Sequence, residues 1–483
     1  MVNEVIRIIA CILLPVLGAI LVFNRPKWRS VIVLITTLTT AGLVISLYAT
    51  SLSGQVTYLL SRVAAGLEIT MQLDPLTWIF ALVSSVLWVP AGIYALGYMH
   101  GDAHEGRFFA FYLLSLSATM GIAFAGSLVT LYLFYELLTL VTFPLVVHSG
   151  GAAADNAGRN YISYSLFGAA LILLGIVLTR AIAPSLTFSA GGMLVVGAAQ
   201  VQLARTLLLI FVFGFGVKAA IIPLHSWLPL AMAAPTPVSA LLHAVAVVNA
   251  GSYGIIRVIY TVFGRETVAN LGMAPPLIVL ACTTIVMGSI WAMREQTLKR
   301  RLAFSTISQM GYLMLGGVLL SPLGLQATLI HFIHHAMLKI TLFFSVGALN
   351  HSLGITKVEQ VRGLGKRFPL VFAGITLSAL GLVGIVPLNG FVSKWYYLQG
   401  ALQAETYWVL GVLGLSSLLN ALYYFPLVSK AFFSEASEQV PAHIHHDLRV
   451  ELPGFGIACC SLLLGLFPHW TVALVERAAA LLG

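Results

Sequence analysis

Two apolar segments of this chain cannot form straight helices, and they decide the fold. The first is FGFGVKAAIIPLHSWLPLAMAAPTP at residues 213–237, where four prolines interrupt the helix because proline lacks a backbone N–H and clashes with the preceding turn. The second is LVGIVPLNGFVSKWYYL at residues 382–398. The interruptions share a pattern, IIPLH at 221–225 and IVPLN at 385–389. Paired broken helices in two halves of a membrane protein indicate binding sites near the bilayer midplane.

The composition is that of an integral membrane protein. Of the 483 residues, 59% are apolar and 8% are charged, whereas a soluble domain carries about 25% charged residues. The mean hydropathy is +0.97. The apolar residues run in blocks of about twenty and do not alternate, which favours helices over a β-barrel. We therefore predict an all-α polytopic membrane protein with about 14 transmembrane helices.

The apolar blocks place these predicted spans along the chain. Five crossings reverse the chain direction, so spans 4–8 and 9–13 are predicted to form two inverted five-helix repeats, each with one broken helix (spans 7 and 12). The predicted units are residues 1–105 with spans 1–3, 106–262 with the first repeat, 263–433 with the second, and 434–483 with a loop, span 14 and a short tail. The spans cover about 4–23, 30–49, 76–98, 108–126, 128–148, 160–183, 205–222, 236–259, 275–293, 302–319, 325–349, 370–400, 407–433 and 453–471.

Lysine and arginine are distributed unevenly between the two sides of this arrangement. Loops after odd-numbered spans hold 15 of them, whereas the other loops and both ends hold 7, with Arg257 among these. The positive-inside rule then predicts that both termini lie on the non-cytoplasmic side, in what we expect to be a prokaryotic inner membrane. The net charge of +9 is accordingly interpreted as a topology signal, with no nucleic-acid partner expected.

Cysteine usage and motifs argue against a cofactor in this chain. The cysteines (Cys11, Cys282, Cys459 and Cys460) lie in apolar segments without the spacing of an iron–sulfur or zinc site. A P-loop, haem or flavin motif, or dinucleotide fingerprint is not found either. We expect no cofactor and no metal here, and no redox or hydrolytic chemistry carried by the chain itself.

A short series of ionisable residues lies inside the predicted spans. Such a residue costs roughly 2.5–3.5 kcal/mol at the bilayer centre on insertion scales, so each one is a functional candidate. The series consists of Glu136 in span 5, Lys218 before the break of span 7, His243 in span 8, His331, His335 and Lys339 at i, i+4 and i+8 in span 11 with His334 adjacent, and Lys394 after the break of span 12.

These residue types suit proton transfer. Burial lowers the proton affinity of lysine and raises that of glutamate, whereas ion pairing opposes both effects. A buried pair whose partners can separate can therefore load and release a proton. Histidine titrates near neutrality and suits a relay between such sites. Other interpretations compete: Glu136 and Lys218 as a static salt bridge, and His243 or His334 as packing residues. A zinc site is a poor competitor because no carboxylate or cysteine accompanies the histidines.

Several segments together carry a family resemblance over spans 3 to 13. The chain resembles the antiporter-like membrane subunits shared by respiratory complex I, membrane-bound hydrogenases and Mrp-type multisubunit cation/proton antiporters. The segments are GRFFAFYLL at 106–114, LFYELLTL at 133–140, GVKAAIIPLHSWLPLAMAAPTPVSALLHAVAVVNAG at 216–251, LKRRLAFSTISQMGY at 298–312 and HHAMLKITLFFSVGAL at 334–349.

The resemblance implies roles for the buried series. Glu136 and Lys218 match the family's acid–lysine pair, His243 a histidine that some members have in span 8, Lys339 with its histidines the central connection, and Lys394 the terminal lysine. Many members have lysine where this chain has Asn249. That departure leaves His243 alone, or a hydrated gap, to carry protons there. In length the chain resembles the shorter members, such as the D-type subunit of Mrp antiporters or the smaller antiporter-like subunits of complex I.

The leading hypothesis is a subunit that moves protons, with or without exchange for Na⁺, through two linked half-channels. Other membrane subunits and lipid would be its partners. It would belong either to a cation/proton antiporter or to a redox complex of the complex I or hydrogenase type, and only in the latter would it be part of a translocating enzyme. A scaffold with an inactive channel is favoured by Asn249 alone, and a solute transporter lacks an evident organic-substrate pocket.

Overall fold

The computed structural model describes residues 2–64, 67–183, 185–435 and 446–482, so residues 436–445 of the predicted terminal loop lie outside it. Within these ranges the chain forms twenty α-helices. They are α1 Val2–Asn24, α2 Arg29–Ser46, α3 Tyr48–Ser51, α4 Pro75–Tyr98, α5 Glu105–Ala123, α6 Leu128–Val146, α7 Gly151–Ile182, α8 Val201–Lys218, α9 Trp227–Leu230, α10 Thr236–Ala244, α11 Val247–Arg257, α12 Arg265–Asn270, α13 Ala274–Arg294, α14 Leu298–Val318, α15 Pro322–Leu353, α16 Pro369–Val383, α17 Asn389–Gln403, α18 Trp408–Phe433, α19 Leu448–Leu466 and α20 His469–Leu482.

The helices confirm the predicted class. Among the described residues, twelve helical segments are long and apolar enough to cross a membrane, and the chain is an integral membrane protein. The two further predicted spans are α14, whose first turn carries three cations, and the interrupted pair α16–α17. The number of about 14 crossings, and the inverted repeats with their boundaries, remain predictions.

Both predicted helix breaks are present. Helix α8 ends at Lys218, and residues 219–226 form turns before the short helix α9. Across this break the Trp227 indole N–H donates to the carbonyl of Val217 at 2.8 Å. Helix α16 ends at Val383, where Gly384 takes a positive φ of 92° that glycine adopts without strain, and α17 begins at Asn389. Asn389 is buried, whereas Ile385 and Val386 within this second break are 38% and 62% exposed in the single chain.

A third interruption, which the sequence analysis did not predict, divides span 8. Helix α10 ends at Ala244, α11 begins at Val247, and a π-helical turn follows at Val258–Phe263. The side-chain amide of Asn249 donates to the carbonyl of Ala244 at 2.6 Å and so covers one backbone acceptor that the break exposes. This whole segment is buried inside the protein, so its polar groups must be satisfied by protein or water.

Two further elements were missed by the sequence analysis. An antiparallel hairpin pairs β1 Val56–Ala64 with β2 Leu67–Leu73, with Val56 opposite Leu73. Helix α20 follows α19 as a separate amphipathic helix. Its buried positions recur at helical spacing (Thr471, Val475, Ala478, Ala479 and Leu482), and it packs on α4 and α15. Short apolar strands and a helix joined directly to a span give no clear boundary in an apolar sequence.

A buried ion pair connects the start of α4 to the end of α11. Asp74 caps α4, because its carboxylate accepts from the backbone N–H of Thr77 at 2.7 Å. The same carboxylate accepts two hydrogen bonds from the guanidinium of Arg257 at 3.0 and 3.2 Å, and Arg257 Nε donates to the Tyr253 hydroxyl at 2.9 Å. Assigning Arg257 to a loop was therefore wrong: it is completely buried at a helix end.

We expect Arg257→Met to destabilise the protein by about 3–5 kcal/mol, because it leaves the Asp74 carboxylate buried without its cation. The double variant Asp74→Asn/Arg257→Met should recover most of this loss, since asparagine keeps the helix cap and removes the charge. Thermal unfolding in detergent measures both. Arg62→Met is the control, because Arg62 pairs with Glu68 at 2.9 Å but is 73% exposed, and it should cost less than about 1 kcal/mol. Equal losses in the single and double variants would contradict the expectation.

Candidate functional site

The first part of the candidate site is the pair formed by Glu136 on α6 and Lys218 at the end of α8. The Lys218 ammonium lies 3.9 Å from Glu136 Oε1, and the side chains of Lys218 and Glu136 are 1% and 20% exposed, respectively. Lys218 is the last residue of its helix, where the carboxyl end of the helix dipole favours a cation. The break predicted from the prolines thus places the lysine where its charge can be tolerated.

Lys218 has partners other than the carboxylate. Its ammonium donates to the backbone carbonyl of Tyr135 and lies 3.4 Å from the centroid of the Tyr135 ring, a cation–π contact. Within the described part of the chain, Glu136 Oε1 has no hydrogen-bond partner. The lysine is therefore held by a carbonyl and an aromatic face, and the carboxylate stands at the edge of this arrangement. Such a pair can separate without leaving the lysine uncoordinated.

The second part of the site is built around Lys339 on α15. This lysine is fully buried, and its ammonium donates to the hydroxyl of Ser305, to the Leu302 carbonyl at 3.2 Å and to the Tyr424 hydroxyl at 3.2 Å. These partners are neutral oxygens on α14 and α18. Its coordination therefore differs from that of Lys218, where a carboxylate stands nearby.

His331, His334 and His335 lie on the same helix as Lys339 and are all buried. The rings of His331 and His335 have centroids 5.8 Å apart, and His331 Nδ1 lies 3.1 Å from the hydroxyl of Ser393 on α17. His334 is fully buried next to them. Among the residues that the structure describes, no three His, Cys, Asp or Glu side chains form a metal-binding group. The predicted polar stripe of α15 is thus present as one face that reaches α17.

His243 lies near the other end of this face. It is completely buried in the last turn of α10, with its ring 4.7 Å from that of Phe343, one turn beyond Lys339 on α15. Neither ring nitrogen of His243 has a hydrogen-bond partner in the described ranges. Among the described residues, His243 and Lys218 are therefore not hydrogen-bonded to each other. The structure therefore places His243 beside the α15 stripe.

Lys394 completes the series beside the break of the second broken helix. Its ammonium donates to the carbonyl of Val383 at 2.7 Å and to the hydroxyl of Ser417 at 2.8 Å. Val383 is the last residue of α16, so its carbonyl is one of the acceptors that a helix end leaves free. The ammonium also lies 5.8 Å from the centroid of the Tyr312 ring, and that ring in turn lies 5.4 Å from the ring of His331.

Sequence reasoning found the cations and missed the neutral groups that hold them. Ser305, Tyr424 and Ser417 coordinate Lys339 and Lys394 but carry no charge that would mark them in an apolar span. The signal that could have found Ser305 is its place in a polar row on α14, with Gln309 and Tyr312 following at i+4 and i+7. Backbone acceptors such as the Tyr135 carbonyl leave no trace in a sequence.

Comparison with known proteins identifies the family. The family model described as "NADH:quinone oxidoreductase/Mrp antiporter, TM" matches residues 125–420, which contain every member of the buried series. A second model, "NADH-Ubiquinone oxidoreductase (complex I), chain 5 N-terminus", matches residues 63–109. The chain belongs to the NADH:quinone oxidoreductase/Mrp antiporter family. The resemblance inferred from the sequence is confirmed.

Curated relatives come from both branches of this family. The chain is 31% identical over 434 residues to the N subunit of NADH-quinone oxidoreductase from Desulforudis audaxviator, covering 85% of this chain and 84% of that protein. It is 30% identical to the A/B subunit of a probable K(+)/H(+) antiporter from Rhizobium meliloti and 29% identical to the A1 subunit of an Na(+)/H(+) antiporter from Staphylococcus aureus. These matches cover 84% and 86% of this chain, but only 41% and 55% of the antiporter subunits.

Solved structures share the fold over nearly the whole chain. A chain of the Mrp complex from Dietzia matches with a TM-score of 0.87 and 23% identity, covering 100% of this chain and 98% of its own. A chain of an archaeal membrane-bound sulfane sulfur reductase gives 0.86 and 24%, covering 98% and 97%. A chain of respiratory complex I from Thermus thermophilus gives 0.82 and 23%, covering 99% and 100%. At these identities the likeness shows a common fold.

The separation of 3.9 Å between Glu136 and its lysine leads to a prediction about stability. Glu136→Gln should change the free energy of unfolding by about 1 kcal/mol or less, because Lys218 keeps its carbonyl and ring contacts. A buried lysine can also become neutral, which arginine cannot. Thermal unfolding in detergent, with Arg257→Met as the reference, measures the effect. A loss as large as that of Arg257→Met would identify Glu136–Lys218 as a static structural salt bridge.

Proposed function

We propose that this chain is a proton-translocating subunit of a multisubunit membrane complex. The observation that carries the proposal is a set of three lysines in predicted spans, two buried and one partly buried, each beside a helix break or neutral oxygens, with histidines between Lys339 and Lys394. Lys218 and Lys339 are buried in the helical bundle and Lys394 is partly buried, and a permanent structural charge in such a place is expensive. Buried polar residues of this kind mark proton and ion pathways.

In this proposal the first half-channel is gated by Glu136 and Lys218. When the carboxylate approaches, it favours the charged ammonium, and when it withdraws, the lysine is left with neutral partners and releases its proton inward. The 3.9 Å separation and the cation–π contact with Tyr135 support two positions of the carboxylate about a retained lysine. The protonation state of this half-channel thereby controls the release of a proton in the next half-channel.

The second half-channel uses the α15 stripe and Lys394. A proton arriving at Lys339 passes along His335 and His331 toward Ser393, and Lys394 on the same helix as Ser393 releases it to the far side. The support is the spacing of the stripe and the contact of 3.1 Å between His331 and Ser393. His243, beside Phe343, joins the stripe to the first half. The chain needs no cofactor of its own for these steps.

We further propose that the complex is a monovalent cation/proton antiporter, with this chain in a place like that of the D-type Mrp subunit. The support is the match to relatives named as K(+)/H(+) and Na(+)/H(+) antiporter subunits over 84% and 86% of this chain. The ion exchanged for protons would be Na⁺ or K⁺. Other membrane subunits and lipid surround the chain in a prokaryotic inner membrane, with both termini on the non-cytoplasmic side.

A redox-driven complex is the second candidate, and one observation favours it. The relative named as the N subunit of NADH-quinone oxidoreductase is 31% identical and matches over most of both chains. In that case electron transfer in partner subunits would drive proton transfer along the same lysines and histidines. The two candidates share the path for protons and differ in what supplies the free energy.

Lys218→Ala and Glu136→Ala in the intact complex should abolish proton transport and leave expression and assembly unchanged. The physical reason is that each removes one member of the gating pair. Proton uptake into vesicles that contain the purified complex measures the effect. Lys430→Ala is the control, because this lysine is partly exposed at the end of α18 and pairs with Glu359 outside the series. Transport retained in either gating variant would contradict the assignment.

The identity of the partner subunits shows whether an ion gradient or electron transfer drives proton transport. The tagged chain, purified in mild detergent, should retain small hydrophobic subunits and no iron–sulfur or flavin signal if the complex is an antiporter. Mass spectrometry with iron and flavin assays measures this. Co-purifying iron–sulfur and flavin or nickel subunits would establish the redox-driven candidate instead.

A further inference from the structure

Helices α14 and α15 face each other in a register that two contacts fix. The short turn at 319–321 joins them, so they run antiparallel. The ammonium of Lys339 donates to the Ser305 hydroxyl near the start of α14, and the His331 ring lies 5.4 Å from the Tyr312 ring further along it. Ser305 faces Lys339 and Tyr312 faces His331 at the two ends of one contact face.

Gln309 occupies the middle of this face. It follows Ser305 by four residues and precedes Tyr312 by three, so all three lie on one side of α14. On α15, His335 lies four residues from both His331 and Lys339. The antiparallel register therefore sets the Gln309 amide opposite the His335 ring, between the two contacts that fix the helices.

Both of these side chains are buried without protein partners. Gln309 and His335 are each fully inaccessible to solvent. Within the residues described, neither the amide nitrogen nor the amide oxygen of Gln309 has a hydrogen-bond partner, and the same holds for both ring nitrogens of His335. Four buried polar atoms on two facing side chains are costly unless something hydrogen-bonds to them. Water is the group that can donate to and accept from all four.

We infer that Gln309 is a positioning residue of the proton path, and that its amide orients water between Lys339 and His335. The inference rests on the proposed function. The balanced step is a proton leaving the Lys339 ammonium for this water while the water gives a proton to a ring nitrogen of neutral His335. Lysine ends neutral and histidine ends as the cation. Gln309 is unchanged, because its amide has one donor group and one acceptor and does not titrate.

A packing role for Gln309 predicts something different. Methionine has nearly the shape and volume of glutamine, so a packing residue at this position would tolerate Gln309→Met with little change. An orienting residue would not tolerate it, because the thioether can neither donate a hydrogen bond nor accept a strong one. The substitution therefore separates the two roles.

The experiment compares Gln309→Met and Ser308→Ala in the intact complex, with proton uptake into vesicles measured in H₂O and in D₂O. Ser308 is the matched control. It directly precedes Gln309 and is equally buried, but its hydroxyl contacts that of Ser289 on α13 at 2.9 Å. Gln309→Met should slow uptake at least about tenfold and enlarge the solvent isotope effect, because proton transfer becomes limiting. Ser308→Ala should resemble the wild type.

Wild-type uptake and isotope effect in Gln309→Met would overturn the inference. If Lys218→Ala is inactive in the same assay, the proposed function survives that result. If Lys218→Ala is fully active, it is the proposed function that fails. Should Gln309→Met not assemble, Gln309→Asn replaces it, since the shorter amide keeps the polarity but not the reach. A slowed Asn variant supports the inference, and an unchanged one overturns it.

Discussion

A charge inside a membrane must find its partners within the protein, and in this chain the helix breaks and neutral oxygens supply them. Lys218 ends one broken helix, and Lys394 bonds to the last carbonyl of another, at Val383. Lys339 lies in an unbroken helix and takes hydroxyls from α14 and α18 in place of a free helix end. Two of the three lysines therefore lie at helix interruptions, and the third depends on oxygens of neighbouring helices.

Two ion pairs in the same bundle differ in their geometry and in the restraint on their side chains. The Asp74–Arg257 pair is bidentate, shares its carboxylate with a helix cap and engages Tyr253, so every part of it restrains the others. The pair of Glu136 and Lys218 is 3.9 Å apart and unidentate. Arginine holds its proton under all conditions, whereas lysine can give it up. The first arrangement suits a fixed joint between α4 and α11, and the second suits a site that changes its charge.

The sequence predicts the parts of this fold that depend on chain-local chemistry. Apolar blocks predict the helical class, prolines predict the breaks after Lys218 and before Asn389, and charges in apolar blocks predict the site series. The hairpin, the kink after Ala244 and the partners of the lysines depend on contacts between distant segments, which no local pattern encodes. Arg257 shows the limit: at the end of a predicted span it resembles a loop residue, and only its distant partner Asp74 explains its burial.

The break after Ala244 also bears on the role of Asn249. Asn249 uses its amide N–H to cover the carbonyl of Ala244, so part of its hydrogen-bonding capacity is used by the break itself. An amide can orient water but cannot store a proton. In the proposed path, the link between the Lys218 group and the α15 stripe would have His243 as its titratable member. Gln309 and Asn249 would then have the same task at two points along the proposed path, because the amide oxygens of both are buried without protein partners among the described residues.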